Sequence, residues 1–131
     1  MDWDRLLAAA TAARANAYAP YSHFPVGAAI LMEDGSIWTG ANVENCIPAL
    51  GTCAERNALT TAASAGLRKP RAVAVITDTS PPSSPCGLCR QILSEFIDPD
   101  DDLPILMANT RGEREETTLG QLLPHRFKLR A

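Results

Sequence analysis

The chain has 131 residues and a mass of 14.0 kDa, enough for one domain with one core and too little for two. With 46% hydrophobic, 21% charged and 5% aromatic residues it reads as an ordinary globular protein rather than a disordered or fibrous one. A formal charge of -3 and a pI near 5.3 provide no global counterion-release term, which argues against a nucleic-acid substrate.

The segment from Asp4 to about Ala17 is rich in Leu, Ala and Arg, places Leu6, Ala10, Ala13 and Ala17 at helical spacing and runs toward Pro20, so it is expected to be a helix. The apolar runs Val26 to Met32 and Ile37 to Val43 flank Asp34-Gly35, a pair that tolerates positive φ and predicts an antiparallel hairpin. A second helix is expected from Cys53 to about Ser64, with Ala54, Ala58 and Ala62 at spacing four and Gly66 as a stop. Ala72-Val-Ala-Val-Ile76 reads as a central strand covered on both faces. After a Pro- and Ser-rich loop, a third helix is expected over Cys86 to Phe96, with Leu88, Ile92, Leu93 and Phe96 in helical phase. Pro104 to Ala108 reads as another buried strand, and Thr118 with Gln121 has the spacing of a capping box opening a short last helix.

This order predicts a single α/β domain spanning 1–131, a three-layer α/β/α sandwich on a mixed sheet that is antiparallel at the hairpin and parallel afterward. No apolar run is long enough for a membrane span, and the start Met1-Asp-Trp-Asp4 is acidic where a secretion signal is basic; a cytoplasmic location is the expectation. The acidic segment Asp98 to Asp102 reads as a solvated loop, and His23 and His125, which lack ligand spacing, as surface residues.

The cysteines carry the chemistry. In a reducing compartment they are read first as metal ligands or catalytic groups. Cys53 opens the second predicted helix, and Cys86 and Cys89 open the third in Pro-Cys-Gly-Leu-Cys. A helix N-terminus lowers a thiol pKa toward the thiolate that binds zinc. In parallel-sheet architectures two such helices can start side by side at the carboxyl edge of their strands, where the three sulfurs can converge. Three protein ligands leave a zinc with an open position for water, whereas a closed structural site uses four. Glu55, on the same first turn as Cys53, is placed to address that water without being a ligand. The competing readings are three cysteines buried as small apolar residues, a four-cysteine structural site that includes Cys46, a Cys86–Cys89 disulfide, and Glu55 as an ordinary first-turn glutamate. The spacing of Cys46 from Cys53 does not suit the second.

Cys-Ala-Glu followed by Pro-Cys-x-x-Cys matches the signature of zinc deaminases. The chain resembles the homotetrameric-type cytidine deaminases over most of its length. The resemblance rests on Ala19-Pro-Tyr-Ser-His-Phe-Pro-Val-Gly-Ala-Ala29, Asn42-Val-Glu-Asn45, Cys53-Ala-Glu-Arg-Asn57, Pro85-Cys-Gly-Leu-Cys-Arg-Gln91 and Leu122-Leu-Pro-His-Arg-Phe127. It implies one Zn²⁺ per chain on Cys53, Cys86 and Cys89, with Glu55 as the proton carrier and Arg56 offsetting the thiolate charge. Phe24 would pack on the pyrimidine, Asn42 and Glu44 would hold ribose hydroxyls, and the Ala54 backbone would contact the base. Phe127 would reach a neighbouring subunit's site in a homotetramer. Independently of the family, an amide and a carboxylate on one face of a strand suit vicinal hydroxyls.

The implied reaction is hydrolytic deamination of cytidine and 2′-deoxycytidine to the uridine products with release of ammonia, in pyrimidine salvage. Between Asn45 and Cys53 the chain departs from the family: Cys46-Ile-Pro-Ala-Leu50 stands where many relatives have Ala-Ser-Tyr-Gly-Leu, so Pro48 replaces a tyrosine that contributes at a shared site. That departure bears on substrate range and not on the metal. The alternatives are a deaminase of another aminopyrimidine nucleoside, such as a blasticidin-like antibiotic, a non-catalytic zinc module, and a nucleic-acid editor, which the charge balance disfavours.

Overall fold

Alternation along the strands sorts the residues to two sides of one sheet. In the computed structural model, which describes residues 1–129, the elements are α1 (Trp3–Arg14), β1 (Gly27–Met32), β2 (Ile37–Ala41), α2 (Ala54–Ser64), β3 (Pro70–Thr77), α3 (Gly87–Glu95), β4 (Pro104–Asn109), β5 (Arg114–Thr118) and α4 (Leu119–Leu122). On β3, Ala72, Ala74 and Ile76 face Leu6 and Ala10 of α1, while Val73 and Val75 face Ala58, Leu59 and Ala62 of α2 and Leu93 of α3. Ala29 of β1 and Leu106 of β4 join the first side, and Ile30, Met32, Ile105 and Met107 the second. The result is the expected three-layer α/β/α sandwich, with α1 alone on one face.

The α1 layer sits close because its partners are small. A Cβ on Gly27 would lie 2.1 Å from the carbonyl of Ala10, an approach open only to glycine. The helix ends at Arg14, three residues short of the predicted boundary, and the Tyr18 N–H turns instead to the carbonyl of Asn42 at 2.9 Å.

The strand order is β2-β1-β3-β4-β5. The hairpin is confirmed, with Gly35 at φ 86 in its turn. The expectation of a sheet parallel after the hairpin is corrected: β1 pairs antiparallel with β3 as well as with β2, β4 pairs antiparallel with β5, and β3–β4 is the parallel pair. Because β1 is inserted between them, β2 and β3 point the same way without touching, so α2 is still a crossover between like-directed strands. The helices that follow β2 and β3 therefore start on the same edge of the sheet, which is what the site needs.

β5 was not expected. Its sequence Arg-Glu-Glu-Thr-Thr is mostly exposed and lacks apolar alternation; it forms by pairing with β4 at the sheet edge, where charged residues suit a strand with one free side. Among the described residues no helix is long and apolar enough to cross a membrane.

Candidate active site

Cys53 and Cys86 are the N-cap residues of α2 and α3, each in extended backbone and neither capping its helix with its own side chain. Cys89 lies one turn into α3 and is buried. The Cys53 and Cys86 sulfurs are 3.8 Å apart, and all three lie within 4.8 Å of one another. Tetrahedral thiolates about 2.3 Å from a zinc ion stand roughly 3.8 Å apart, so the donor set fits one Zn²⁺ with a position to spare. The reading as scattered apolar cysteines is thereby overturned. Cys46 is exposed and outside the cluster, and all four cysteines are free thiols, which removes the four-cysteine site and the disulfide.

The sulfurs do not ionise independently. A hydrogen bond from the Cys89 thiol, helped by the Cys86 thiol and the charge of Arg56, draws Cys53 down to about 6 despite partial burial. Cys89 is pushed up as the donor to Cys53, and by burial and the neighbouring charges of Glu55 and Cys53. Three thiolates this close need a cation among them to be ionised together.

Glu55 follows on the first turn of α2 and is only 4% exposed. Burial pushes its carboxyl up to about 6, and the Cys53 thiolate acts in the same direction. A carboxyl poised there exchanges a proton near neutral pH in either direction. Arg56 is exposed beside it; its charge reaches Cys53, while among the described residues its guanidinium makes no hydrogen bond to Cys53 or Cys86.

Cys53, Cys86 and Glu55 line a cleft of about 400 Å³, with Cys89 buried behind them. Phe24, Asn42, Glu44, Cys53, Ala54, Glu55 and Cys86 all line it, so the structure brings together the residues expected there, with Phe127 apart. Phe127 is 66% exposed and outside this cleft. Asn42 and Glu44 lie just past the end of β2 and are already engaged. Asn42 Nδ2 donates to the Phe24 carbonyl at 2.9 Å and its Oδ1 accepts from the Val26 N–H at 2.8 Å. One Glu44 oxygen accepts the Tyr21 and Ser22 N–H groups at 3.0 and 3.1 Å and the other accepts the Ser22 hydroxyl, which holds this carboxyl below its usual range. Each thus shapes the 21–26 loop while retaining lone pairs or an N–H toward the cleft.

The joint between the two ends is tight. A Cβ on Gly40 would meet the Ala54 carbonyl at 2.4 Å, and Asn57 Nδ2 donates to the Ala41 carbonyl at 2.8 Å, seating the α2 start on the end of β2. Sequence reasoning passed over Thr52, Thr77, Ser83 and Ser84, which also line the cleft, since polar residues at strand ends and in loops carry no periodic signal; Leu88, read there as part of the apolar face of the third helix, is instead 74% exposed and lines the cleft. Pro48, the residue that departs from the family, is part of the wall. His23 and His125 are exposed, as expected.

Known proteins agree with this geometry. The family described as the cytidine and deoxycytidylate deaminase zinc-binding region matches residues 1–100. The cytidine deaminase of Sporosarcina psychrophila is 48% identical over 127 residues, 97% of this chain and 92% of that protein. The crystal structure of cytidine deaminase from Burkholderia pseudomallei superposes with a TM-score of 0.90 at 44% identity, covering 97% of this chain and 100% of that one. That from Mycobacterium tuberculosis does so with a TM-score of 0.83 at 40% identity, covering 98% and 99%. Three convergent thiols, a buried glutamate on the first turn of α2, and this likeness along nearly the whole chain lead to one conclusion: the protein belongs to the cytidine and deoxycytidylate deaminase family.

Proposed function

We propose that the chain is a zinc-dependent cytidine deaminase that hydrolyses cytidine and 2′-deoxycytidine to uridine and 2′-deoxyuridine with release of ammonia, as one catalytic domain. The observation that carries this is the convergence of Cys53, Cys86 and Cys89 beside a carboxyl that is buried and yet protonatable near neutral pH, against a cleft of nucleoside size. Zinc, when held by the three thiolates, supplies the Lewis acidity that makes a water nucleophilic near neutral pH.

Glu55 carries the protons. Its carboxylate takes one from the attacking water and delivers it to the ring nitrogen next to C4. It then takes the hydroxyl proton of the tetrahedral adduct to the amine, so that the C4–N bond breaks and ammonia leaves. Burial serves this by keeping bulk water from competing for the proton. Ala54, buried at the α2 start, turns its backbone to the base, and Phe24 packs on the pyrimidine. Asn42 and Glu44 offer the ribose hydroxyls their remaining hydrogen-bonding capacity, which orients C4 toward Glu55. Arg56 and the two helix N-termini offset the net charge of -1 that three thiolates leave on a divalent zinc.

Phe127, exposed and outside its own chain's cleft, is fitted to complete a neighbour's site in a homotetramer. The free thiols suit the reducing cytoplasm, where the protein is expected to act. Ammonia release from cytidine, with and without a zinc chelator, tests the reading. Chelator-sensitive release is expected, and zinc binding without release would overturn it in favour of a structural zinc module. A panel that includes cytosine and other aminopyrimidine nucleosides ranks the substrates; equal efficiency on cytosine and cytidine would remove Asn42 and Glu44 from their roles.

A further inference from the structure

Arg90 follows Cys89 on α3, one turn beyond Cys86, whose carbonyl accepts its backbone N–H at 3.0 Å. Its half-buried guanidinium folds back to the helix start with all three nitrogens engaged. Nε donates to the Pro85 carbonyl, Nη2 to Ser84 Oγ and Nη1 to the Leu122 carbonyl, each at 2.7 Å. Among the described residues no carboxylate pairs with it. A surface arginine serving solubility would not spend its fork this way. The three acceptors belong to separate pieces of chain: the buried proline directly before Cys86, a serine in the cleft wall, and the last residue of α4.

The three thiols are not equally held. Cys89 is inside the helix and buried. Cys53 directly follows the Val43–Thr52 bridge, whose two backbone hydrogen bonds tie down the chain on its N-terminal side. Cys86 is exposed, sits outside the helical backbone region, and comes at the end of a Ser- and Pro-rich loop in which Pro85 has no N–H to tie it down. Further back the loop is tied by Thr79 to Pro81 and Ser83, and the two residues directly before Cys86, Ser84 and Pro85, are held by the Arg90 fork.

We infer that Arg90 is a positioning residue for the Cys86 thiolate: by clamping Ser84 and Pro85 against α3 and the end of α4, it sets the direction from which this sulfur meets zinc. The inference rests on Cys86 being a zinc ligand. The planar five-donor fork is the reason for arginine at this place. A lysine brings three donors on one mobile nitrogen and cannot span three acceptors in different directions.

The test is zinc competition against a chromophoric chelator with the purified holoprotein, together with the thiolate-to-metal absorption of the cobalt-substituted form. Arg90→Met keeps the bulk of the stem and removes the donors. It is expected to weaken zinc binding by about 10- to 100-fold, as loss of a partner behind a metal ligand does, and to shift the cobalt bands. Arg90→Lys should recover part of the loss. Leu6→Ala, on the opposite face of the sheet, should lower the melting temperature and leave zinc affinity and the cobalt spectrum unchanged. Should Arg90→Met not fold, Arg90→Lys and Ser84→Ala, which removes one acceptor only, give the same readouts with smaller shifts in the same direction. Wild-type zinc affinity and cobalt bands in the Arg90 variants would overturn the inference, as would an equal loss of zinc in Leu6→Ala at a matched melting temperature. Full zinc retention by Cys86→Ala would instead strike the ligand assignment on which it stands.

Discussion

The two ends of the cleft are built differently. At the metal end the groups sit on the first turns of α2 and α3, two helices anchored by a core that includes Ala58, Leu59, Ala62 and Leu93 at no measurable exposure. At the end proposed to take the sugar they sit beyond the end of β2 and in the 18–26 segment, held by side-chain bonds from Asn42 and Glu44 to loop backbone, with Pro48 of the exposed 45–50 stretch in the wall. Moving Glu55 or Cys89, which lie inside the helices, means moving a helix against a close-packed interior. Moving a group at the sugar end means breaking one or two hydrogen bonds, each with a net worth of about 0.5–1.5 kcal/mol. On the proposed function, reaction chemistry would reside in the rigid part of the fold and selectivity in the part that changes cheaply.

The contrast is sharpest for the ligands. Cys86→Ala is expected to reduce zinc from one per chain toward none and to abolish deamination, measured by metal analysis of the purified protein; a fully loaded variant would break the comparison at its root. Glu55→Gln keeps the shape and removes the proton carrier. Turnover should fall by about 10²- to 10⁴-fold with zinc retained, and steady-state kinetics beside metal analysis separates the two.

Gly40→Ala probes the joint. The new methyl must displace the α2 backbone, since the Ala54 carbonyl lies 2.4 Å from its position. A destabilisation of about 1–3 kcal/mol in denaturant unfolding is expected, accompanied by weaker zinc binding because the Cys53 helix start moves with it. Unchanged zinc affinity would mean that the two ends are less coupled than the packing implies.

At the sugar end the effects should be smaller and should fall on binding. Asn42→Ala removes both bonds to the 24–26 segment, and KM for cytidine is expected to rise by roughly 10-fold, with a lesser change in kcat. Glu44 adds a pH signature. Its carboxyl is held below the usual 4.5, chiefly by the Ser22 hydroxyl, so its grip on the 21–22 turn is fully present above that value. The grip is lost as pH falls through the lower folded value, so KM is expected to rise in acid and Glu44→Gln to flatten that rise. An equally steep rise in the variant would assign the acid effect elsewhere.

Much of this molecule was legible from residue order alone. Period 3.6 marked α1, α2 and α3 because each buries a single face, and short continuous apolar runs marked β1, β3 and β4 because both of their faces are covered. The metal end was legible because helix starts can be read locally: Cys53 and Cys86 proved to be N-caps within a residue of their expected places, and Glu55 took the first turn. β5 stayed hidden since an edge strand of charged residues draws its stability from the partner's backbone rather than from its own apolar pattern. The three donors of Arg90 were equally silent, their acceptors lying 5, 6 and 32 residues away.

What the sequence by itself determined is thus the set of elements and the chemistry at their ends, because capping, periodicity and thiol spacing are properties of short stretches. Tertiary structure decided the rest. It inserted β1 between β2 and β3, so that the α2 and α3 starts share one edge of the sheet, and it brought the Cys53 and Cys86 sulfurs to 3.8 Å although 33 residues separate them. It also turned Asn42 and Glu44 into struts for a loop about twenty residues earlier in the chain. Such long-range contacts are chosen by what packs and pairs best over the whole sheet, and no local stretch of sequence carries that information.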